Sequence, residues 1–362
     1  MAHPTLADAR ELSQWQPQFG VISVYMGFDP GDRGRGWFSR LRSGADQLLR
    51  EGGDGEREQR LALRETAARL LGRFEGEEGG PPPRGLVGFL EVSRGEGQEH
   101  WWETGTAPDP TVLLGKQPAM TQFVDLCRRG EAAGVAILSA ERVRLLICAD
   151  GELEEVEEWE LSILSGDWRE RRSQRPSDPA RAHGVGSSGH DQYRERLEHN
   201  QHRFLSECGR LTGECLRQRE LKDLVTFGPR PDAEAFRKGL DSTPVQAEHG
   251  GEADLISVPR GDLVEQVAAT IEQLRAARDC DLVRQALGEA GGGSRGATGP
   301  GETLAALAER RVRHLALDPA LGEPAEALVL GALAGNAEIT IARNGVAELL
   351  APAEGAAAIL RY

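Results

Sequence analysis

Residues 301–317 read GETLAALAERRVRHLAL, and residues 355–362 read GAAAILRY. The first stretch changes character half-way. Leucine and alanine dominate 302–309, which predicts a helix, and VRHLAL at 312–317 predicts a strand. Working outward, 323–334 reads as a helix, and 337–342, 346–350 and 357–361 read as strands. A helix at 261–287 precedes them, with Leu263, Val264, Val267, Ile271 and Leu274 on one face. Between the two lies AGGGSRGATGPG at 290–301, which reads as a turn or flexible connection. It lacks the lysine of a phosphate-binding Walker loop. Alternating helices and strands predict an α/β sandwich domain over 258–362.

Upstream, GVAILSA (134–140), RVRLLICAD (142–150) and a strand through 159–163 form a β-meander joined by tight turns. Residues 150–160 hold six glutamates and no lysine or arginine, which suits the solvated face of an edge strand. A surface for a basic partner is the other reading. Residues 165–187 carry no period, and a loop of that length is uncommon inside a compact domain. Its Arg169, Arg171, Arg172, Arg175 and Arg181 face only Asp167, Glu170 and Asp178, so it is locally basic. A long helix from 188 to 220 follows, with Tyr193, Leu197, Phe204, Cys208, Leu211 and Cys215 as its expected buried stripe. A strand at 222–228 and a short helix from Pro231 complete a middle domain over 131–257.

Residues 1–130 give an α+β domain. Strands are expected at 20–28, 85–92, 101–102 and 112–114, and two helices within 37–73 are split by EGGDG at 51–55. The fold class is therefore α+β with α/β, in three domains: 1–130, 131–257 and 258–362.

Composition narrows the function. A net charge of −15 argues against a general nucleic-acid coat protein, yet allows one local RNA contact. Three lysines stand against forty arginines along the whole chain, so arginine excess by itself marks no site. No run approaches the roughly 20 apolar residues of a membrane span. Cys127, Cys148, Cys208, Cys215 and Cys280 are scattered without a CxxC pair, which points to a reducing cytoplasm rather than a disulfide framework or zinc site. His199 and His202 with Glu195, and His183 with Ser187 and Asp191, can be drawn as a metal site or a triad. No further ligand or orienting group accompanies either set, so no metal or cofactor is expected.

The 301–317 element and the Ile359-Leu360-Arg361-Tyr362 ending resemble the C-terminal domain of the archaeal/eukaryotic-type peptide chain release factors and of Pelota. The resemblance covers 258–362 directly and 134–257 by architecture. In that superfamily a working loop lies between a strand and a long helix of the middle domain. Release factors carry Gly-Gly-Gln there, and the quality-control peptidyl-tRNA hydrolases a looser Gly-x-x-Gln. The loop at 165–187 has the same position and contains Arg171-Arg172-Ser173-Gln174. The resemblance thus implies Gln174 as the functional glutamine, with Gln192 as the alternative, and the five loop arginines as RNA contacts. A glutamine can place water at an ester carbonyl and support the oxyanion without titrating. Glycines allow close backbone approach, and here Arg172-Ser173 replaces them.

Two readings follow. One is an enzyme: a peptidyl-tRNA hydrolase or tRNA-end nuclease that frees stalled nascent chains. The other is a Balon-like factor that occupies the ribosomal A site in rescue or hibernation without performing release. Both imply the ribosome, the tRNA acceptor end and a translational GTPase as partners, and no membrane. A stress or interaction protein without a ribosome role has only the acidic charge behind it. The codon-reading motifs of true terminators have no counterpart in residues 1–130.

Overall fold

The structure, a computed structural model, describes residues 3–28, 36–52, 56–75, 84–161, 188–241, 243–291, 295–343 and 345–362. In chain order the elements are α1 (Leu6–Ser13), β1 (Val21–Gly27), α2 (Gly36–Glu51), α3 (Arg57–Phe74), β2 (Gly85–Glu91), β3 (Glu99–Thr104), β4 (Thr111–Gly115) and α4 (Thr121–Gly130). The middle stretch holds β5 (Ala133–Leu138), β6 (Arg142–Ala149), β7 (Glu152–Glu160), α5 (Ser188–Gln218), β8 (Asp223–Phe227), α6 (Arg230–Leu240) and β9 (Gln246–Gly251). The remainder is α7 (Arg260–Gly291), β10 (Gly296–Thr298), α8 (Gly299–Ala308), β11 (Val312–Leu317), α9 (Glu323–Ala334), β12 (Glu338–Ile341), α10 (Gly345–Leu350) and β13 (Ala356–Leu360). The result is a mixed α/β molecule with three sheets among the described residues, ordered β3-β2-β1-β4, β7-β6-β5-β8-β9 and β10-β13-β11-β12.

Packing divides the chain into two compact units, residues 1–131 with 275–362, and residues 132–274. In the first unit, β1 and β2 alternate their side chains between two cores. Ile22, Val24, Met26, Leu86 and Leu90 meet Leu41, Leu63 and Leu70 of α2 and α3. Val21, Tyr25, Val87 and Phe89 face Phe123 and Leu126 of α4 and share a core with Leu328, Val329 and Ala332 of α9. Glu326 of α9 accepts from the Met120 and Thr121 amides at 2.7 and 3.1 Å, satisfying donors that the first turn of α4 leaves open.

Three sequence expectations change. Residues 346–350 form α10 rather than a strand: Val346 and Leu350 are both buried, four apart, a helical spacing that a five-residue window cannot separate from a strand. Within the 290–301 connection, α7 runs to Gly291, β10 spans Gly296–Thr298 and α8 starts at Gly299. The buried stripe of α5 is Leu205, Cys208, Thr212 and Leu216, whereas Phe204, Leu211 and Cys215 are half-buried. The cause is a close helix contact. A Cβ on Gly209 would overlap the Phe236 carbonyl of α6, and one on Gly239 would overlap the Ser206 carbonyl of α5. Small residues, not the bulky ones, set which face of α5 turns inward. Helices α1 and α4 were not expected from the sequence at all.

His314 on β11 is buried, with Nδ1 3.1 Å from Glu338 Oε2 and Nε2 2.8 Å from Thr340 Oγ1. Arg128 of α4 donates to the same Thr340 hydroxyl at 2.7 Å and faces Asp279 of α7 at 3.3 Å. Burial pushes the His314 pKa below the ordinary 6.5, with nearby Arg128 acting in the same direction and Glu338 and Asp279 opposing. A depressed native pKa means that the neutral ring stabilises the fold above about pH 6.5 and that this contribution is lost as pH falls through that range. Melting curves from pH 8 to 5 should therefore show a steeper acid loss for wild type than for His314→Leu. Parallel curves would remove His314 from the acid response.

Candidate functional site

The site is framed by the second unit. Strand β5 runs parallel to β8, and β8 to β9. Strand β6 is antiparallel to β5 and β7 is antiparallel to β6, so β7 points the same way as the parallel strands. All four finish at one carboxyl edge. There Gly228, at φ +130°, donates its N–H to the Gly251 carbonyl at 2.9 Å. A Cβ at Gly228 would overlap the Leu138 carbonyl, so only glycine lets the ends of β5 and β8 approach so closely. Leu161, just past β7, donates to the Glu141 carbonyl at 2.7 Å and pins the end of β7 to the β5–β6 turn.

Apolar residues cover both faces of this sheet. Leu205, Cys208 and Leu216 of α5 and Phe236 and Leu240 of α6 pack over Ala136, Leu138 and Leu224. Leu263, Val267 and Ile271 of α7 cover Val135, Ile137, Val225 and Phe227 on the other side. Arg144 of β6, buried, grips both Glu155 oxygens at 2.7 and 3.2 Å and donates to the Val258 and Ile256 carbonyls at 2.8 and 3.1 Å. The bond to Arg144 holds the Glu155 carboxyl below its ordinary range. Glu155 belongs to the acidic strand β7, which lies at the edge of the sheet as its composition predicted. Its Glu158 and Glu160 pair with Arg142.

Helices α5 and α6 run side by side in the same direction, Ser206 and Gly209 level with Phe236 and Gly239, and Gly213 level with Thr243. Residues 188–201 of α5 therefore precede the start of α6. At ~1.5 Å per residue they carry the helix roughly 20 Å past the carboxyl edge. Glu195, Glu198, His199 and Asn200 are exposed there, as is His202 next to it. The sequence-predicted Gln174, Arg169, Arg171, Arg172, Arg175 and Arg181 lie outside the described residues, as do His183 and Ser187. The Gln192 backbone is in α5, and its side chain is likewise outside the description. What the structure places is both ends of segment 162–187: β7 ends at the carboxyl edge and α5 projects beyond it. Among the described residues no group of three or more metal-ligating side chains converges, and no helix is long and apolar enough to cross a membrane. The five cysteines are all free, and burial raises the Cys208 thiol to about 12.

This strand and projecting helix fall inside residues 118–275, which match the family model of bacterial archaeo-eukaryotic release factor family 10. Over these residues the chain is similar to the bacterial branch of the archaeal/eukaryotic-type release factors. Solved structures similar to this chain include the archaeal translation termination factor aRF1, at 17% identity, TM-score 0.27, covering 99% of this chain and 98% of that one. A ribosome-bound archaeal Pelota aligns at 13% identity and TM-score 0.42, covering 100% and 95%. Dom34 of S. cerevisiae, a translation termination-like factor involved in RNA quality control pathways and interacting with Hbs1, aligns at 10% identity and TM-score 0.41, covering 77% and 80%. No curated protein matches the chain.

Proposed function

We propose that this chain is a ribosome-associated translation factor that binds the A site in rescue or hibernation. The observation that carries the proposal is the middle unit. Its family-matched frame sends α5 roughly 20 Å beyond the sheet's carboxyl edge, at the far end of the segment that bears Gln174. In this reading residues 1–130, 131–257 and 258–362 are the three working units. The ribosome, the tRNA acceptor end and a translational GTPase are the partners, in the cytoplasm. Arg169, Arg171, Arg172, Arg175 and Arg181 supply the phosphate contacts that an acidic chain otherwise lacks.

The alternative, a peptidyl-tRNA hydrolase or tRNA-end nuclease, is favoured by one observation: a glutamine, Gln174, stands in that segment. Against it stands Arg172-Ser173, where a backbone that must approach the tRNA end closely would gain from glycine. Co-sedimentation with vacant ribosomes should be strong at low salt. Replacing Arg169, Arg171, Arg172 and Arg175 together by Ala should weaken it by roughly tenfold or more. On ribosomes loaded with peptidyl-tRNA, wild type and Gln174→Ala should bind equally and release nothing. Wild-type release that disappears in Gln174→Ala with binding intact would mark a group acting only in the transition state and establish the enzyme. Absence of ribosome binding under all salt conditions would sink both readings.

A further inference from the structure

The C-terminal sheet gathers arginines at one edge that no single stretch of sequence displays. Strand β10 pairs antiparallel with β13, Gly296 opposite Ile359, and β13 pairs antiparallel with β11, Leu360 opposite Val312. The starts of β10 and β11 and the end of β13 therefore share one edge. Arg295 immediately precedes β10, Arg310 and Arg311 immediately precede β11, and Arg361 immediately follows β13. The backbone closes this row. Leu360 donates to the Arg295 carbonyl at 2.8 Å, and Arg361 donates to the Arg311 carbonyl at 2.7 Å. Neighbouring strands lie about 5 Å apart, so the row sets arginine beside arginine across three strands. Arg313 is exposed on β11 one residue inside the edge.

Like charges on adjacent strands repel, and the fold tolerates them here in a chain of net charge −15. Some of the charge has a structural use. Arg361 donates to the Gly335 and Asn336 carbonyls at 2.9 and 3.2 Å, capping the end of α9, and Arg311 pairs with Glu309 at 3.1 Å. Three arginines do not. Arg295, Arg310 and Arg313 are exposed, and among the described residues their guanidinium groups have no ion-pair partner. Of the carboxylates at this edge, Glu309 is paired with Arg311, and Glu289 at the end of α7 lies beside Gly296. Arg310 sits in the left-handed region at φ 57°, where an arginine is an unusual choice for closing α8.

We infer that this edge, with Arg295, Arg310 and Arg313 as its free cations, is a second polyanion-binding surface that takes the phosphate backbone of structured RNA. Arg295 stands two strand spacings, about 10 Å, from Arg310 and Arg313 across β13, a span that suits separate phosphates of one backbone, each gripped in a pair of N–H···O bonds. No base-reading groups accompany them, so binding is independent of sequence. The choice of RNA as the polyanion rests on the ribosome reading above, whereas the surface itself does not.

The test uses the full chain and a fluorescently labelled RNA hairpin with a 20-base-pair stem, read by polarisation across a salt series. Wild type should bind more weakly as salt rises. Arg295→Ala/Arg310→Ala/Arg313→Ala should lower affinity roughly tenfold or more and flatten the log–log salt slope by about 2 to 3, near one unit per lost phosphate contact. The single variant Arg313→Ala, which leaves the edge backbone untouched, should flatten it by about 1. An unchanged slope in both, with unaltered melting curves, overturns the inference. So does tighter binding of a labelled poly-glutamate peptide than of the hairpin, which would mark an acidic protein as the occupant. The variant with Arg169, Arg171, Arg172 and Arg175 replaced by Ala separates the two proposals. Loss of ribosome binding in that variant with hairpin binding by the edge retained supports both. Hairpin binding in a chain that never joins ribosomes sinks the A-site reading and leaves this surface standing.

Discussion

Gly209→Val should unfold the middle unit under conditions where the wild type is stable. The helices α5 and α6 touch backbone to backbone: the Gly209 position faces the Phe236 carbonyl, and Gly239 faces the Ser206 carbonyl. Neither carbonyl is the far end of a flexible side chain, so a Cβ can fit only by driving the helices apart. That shift strips Leu205, Cys208 and Phe236 from the apolar face of the sheet. Overpacking of this kind costs about 3 kcal/mol, and more where backbone must move. A melting temperature lower by roughly 10 °C is the expected result. Gly239→Val should behave the same way. Gly288→Ala on α7, where a Cβ meets nothing within 4 Å, is the contrasting case. It should be neutral or stabilise by about 0.5 kcal/mol through helix propensity. If Gly209→Val melts like wild type, the close α5–α6 contact is wrong.

The same glycines explain what could and could not be read from the sequence. Strands such as β1, β5, β6 and β11 were legible because they are short β-branched and leucine-rich runs with turn residues at both ends. The acidic strand β7 was legible as an edge because six glutamates cannot be buried. The inward face of α5 was not legible from bulky residues, since side-chain volume says nothing about a contact made by the absence of a side chain. Helix α4 was missed for a related reason. Its first-turn donors are satisfied by Glu326, 205 residues away from Thr121 in the chain, so no local cap announces it. The strand-to-helix placement of segment 162–187 was foreseen from chain order alone. The arginine edge of the C-terminal sheet was not, because Arg295, Arg310 and Arg361 meet only through strand pairing.

Arg144→Met should be the most damaging single change near the carboxyl edge. Arg144 is 5% exposed, and its fork joins three segments: β6, which bears it, β7 through Glu155, and the stretch after β9 through the Ile256 and Val258 carbonyls. Methionine fills the volume but leaves two carbonyls without their donor and Glu155 without its cation. Breaking such a pair from the buried side costs about 3 kcal/mol, which corresponds to a fall in melting temperature of roughly 10 °C. Removing the other partner should cost far less. Glu155→Gln keeps a carbonyl that still accepts one bond from Arg144, and the Ile256 and Val258 carbonyls keep their donor. That smaller penalty has a pH signature. The Glu155 pKa is lowered by the bond to Arg144, so its contribution is present above about pH 4.5 and fades as pH falls below that value. Wild type and Glu155→Gln should accordingly converge in acid, while Arg144→Met stays destabilised at every pH because the carbonyls do not titrate. Arg144→Lys separates charge from geometry. An ammonium can answer Glu155 or one carbonyl but cannot span all three acceptors, so an intermediate loss is expected. Amide exchange at 255–258 reads the local consequence, since this stretch enters α7 directly. Faster exchange there in Arg144→Met, with α8 and α9 unchanged, would tie the arginine to the frame from which α5 projects; uniform change across both units would show that it merely lowers global stability.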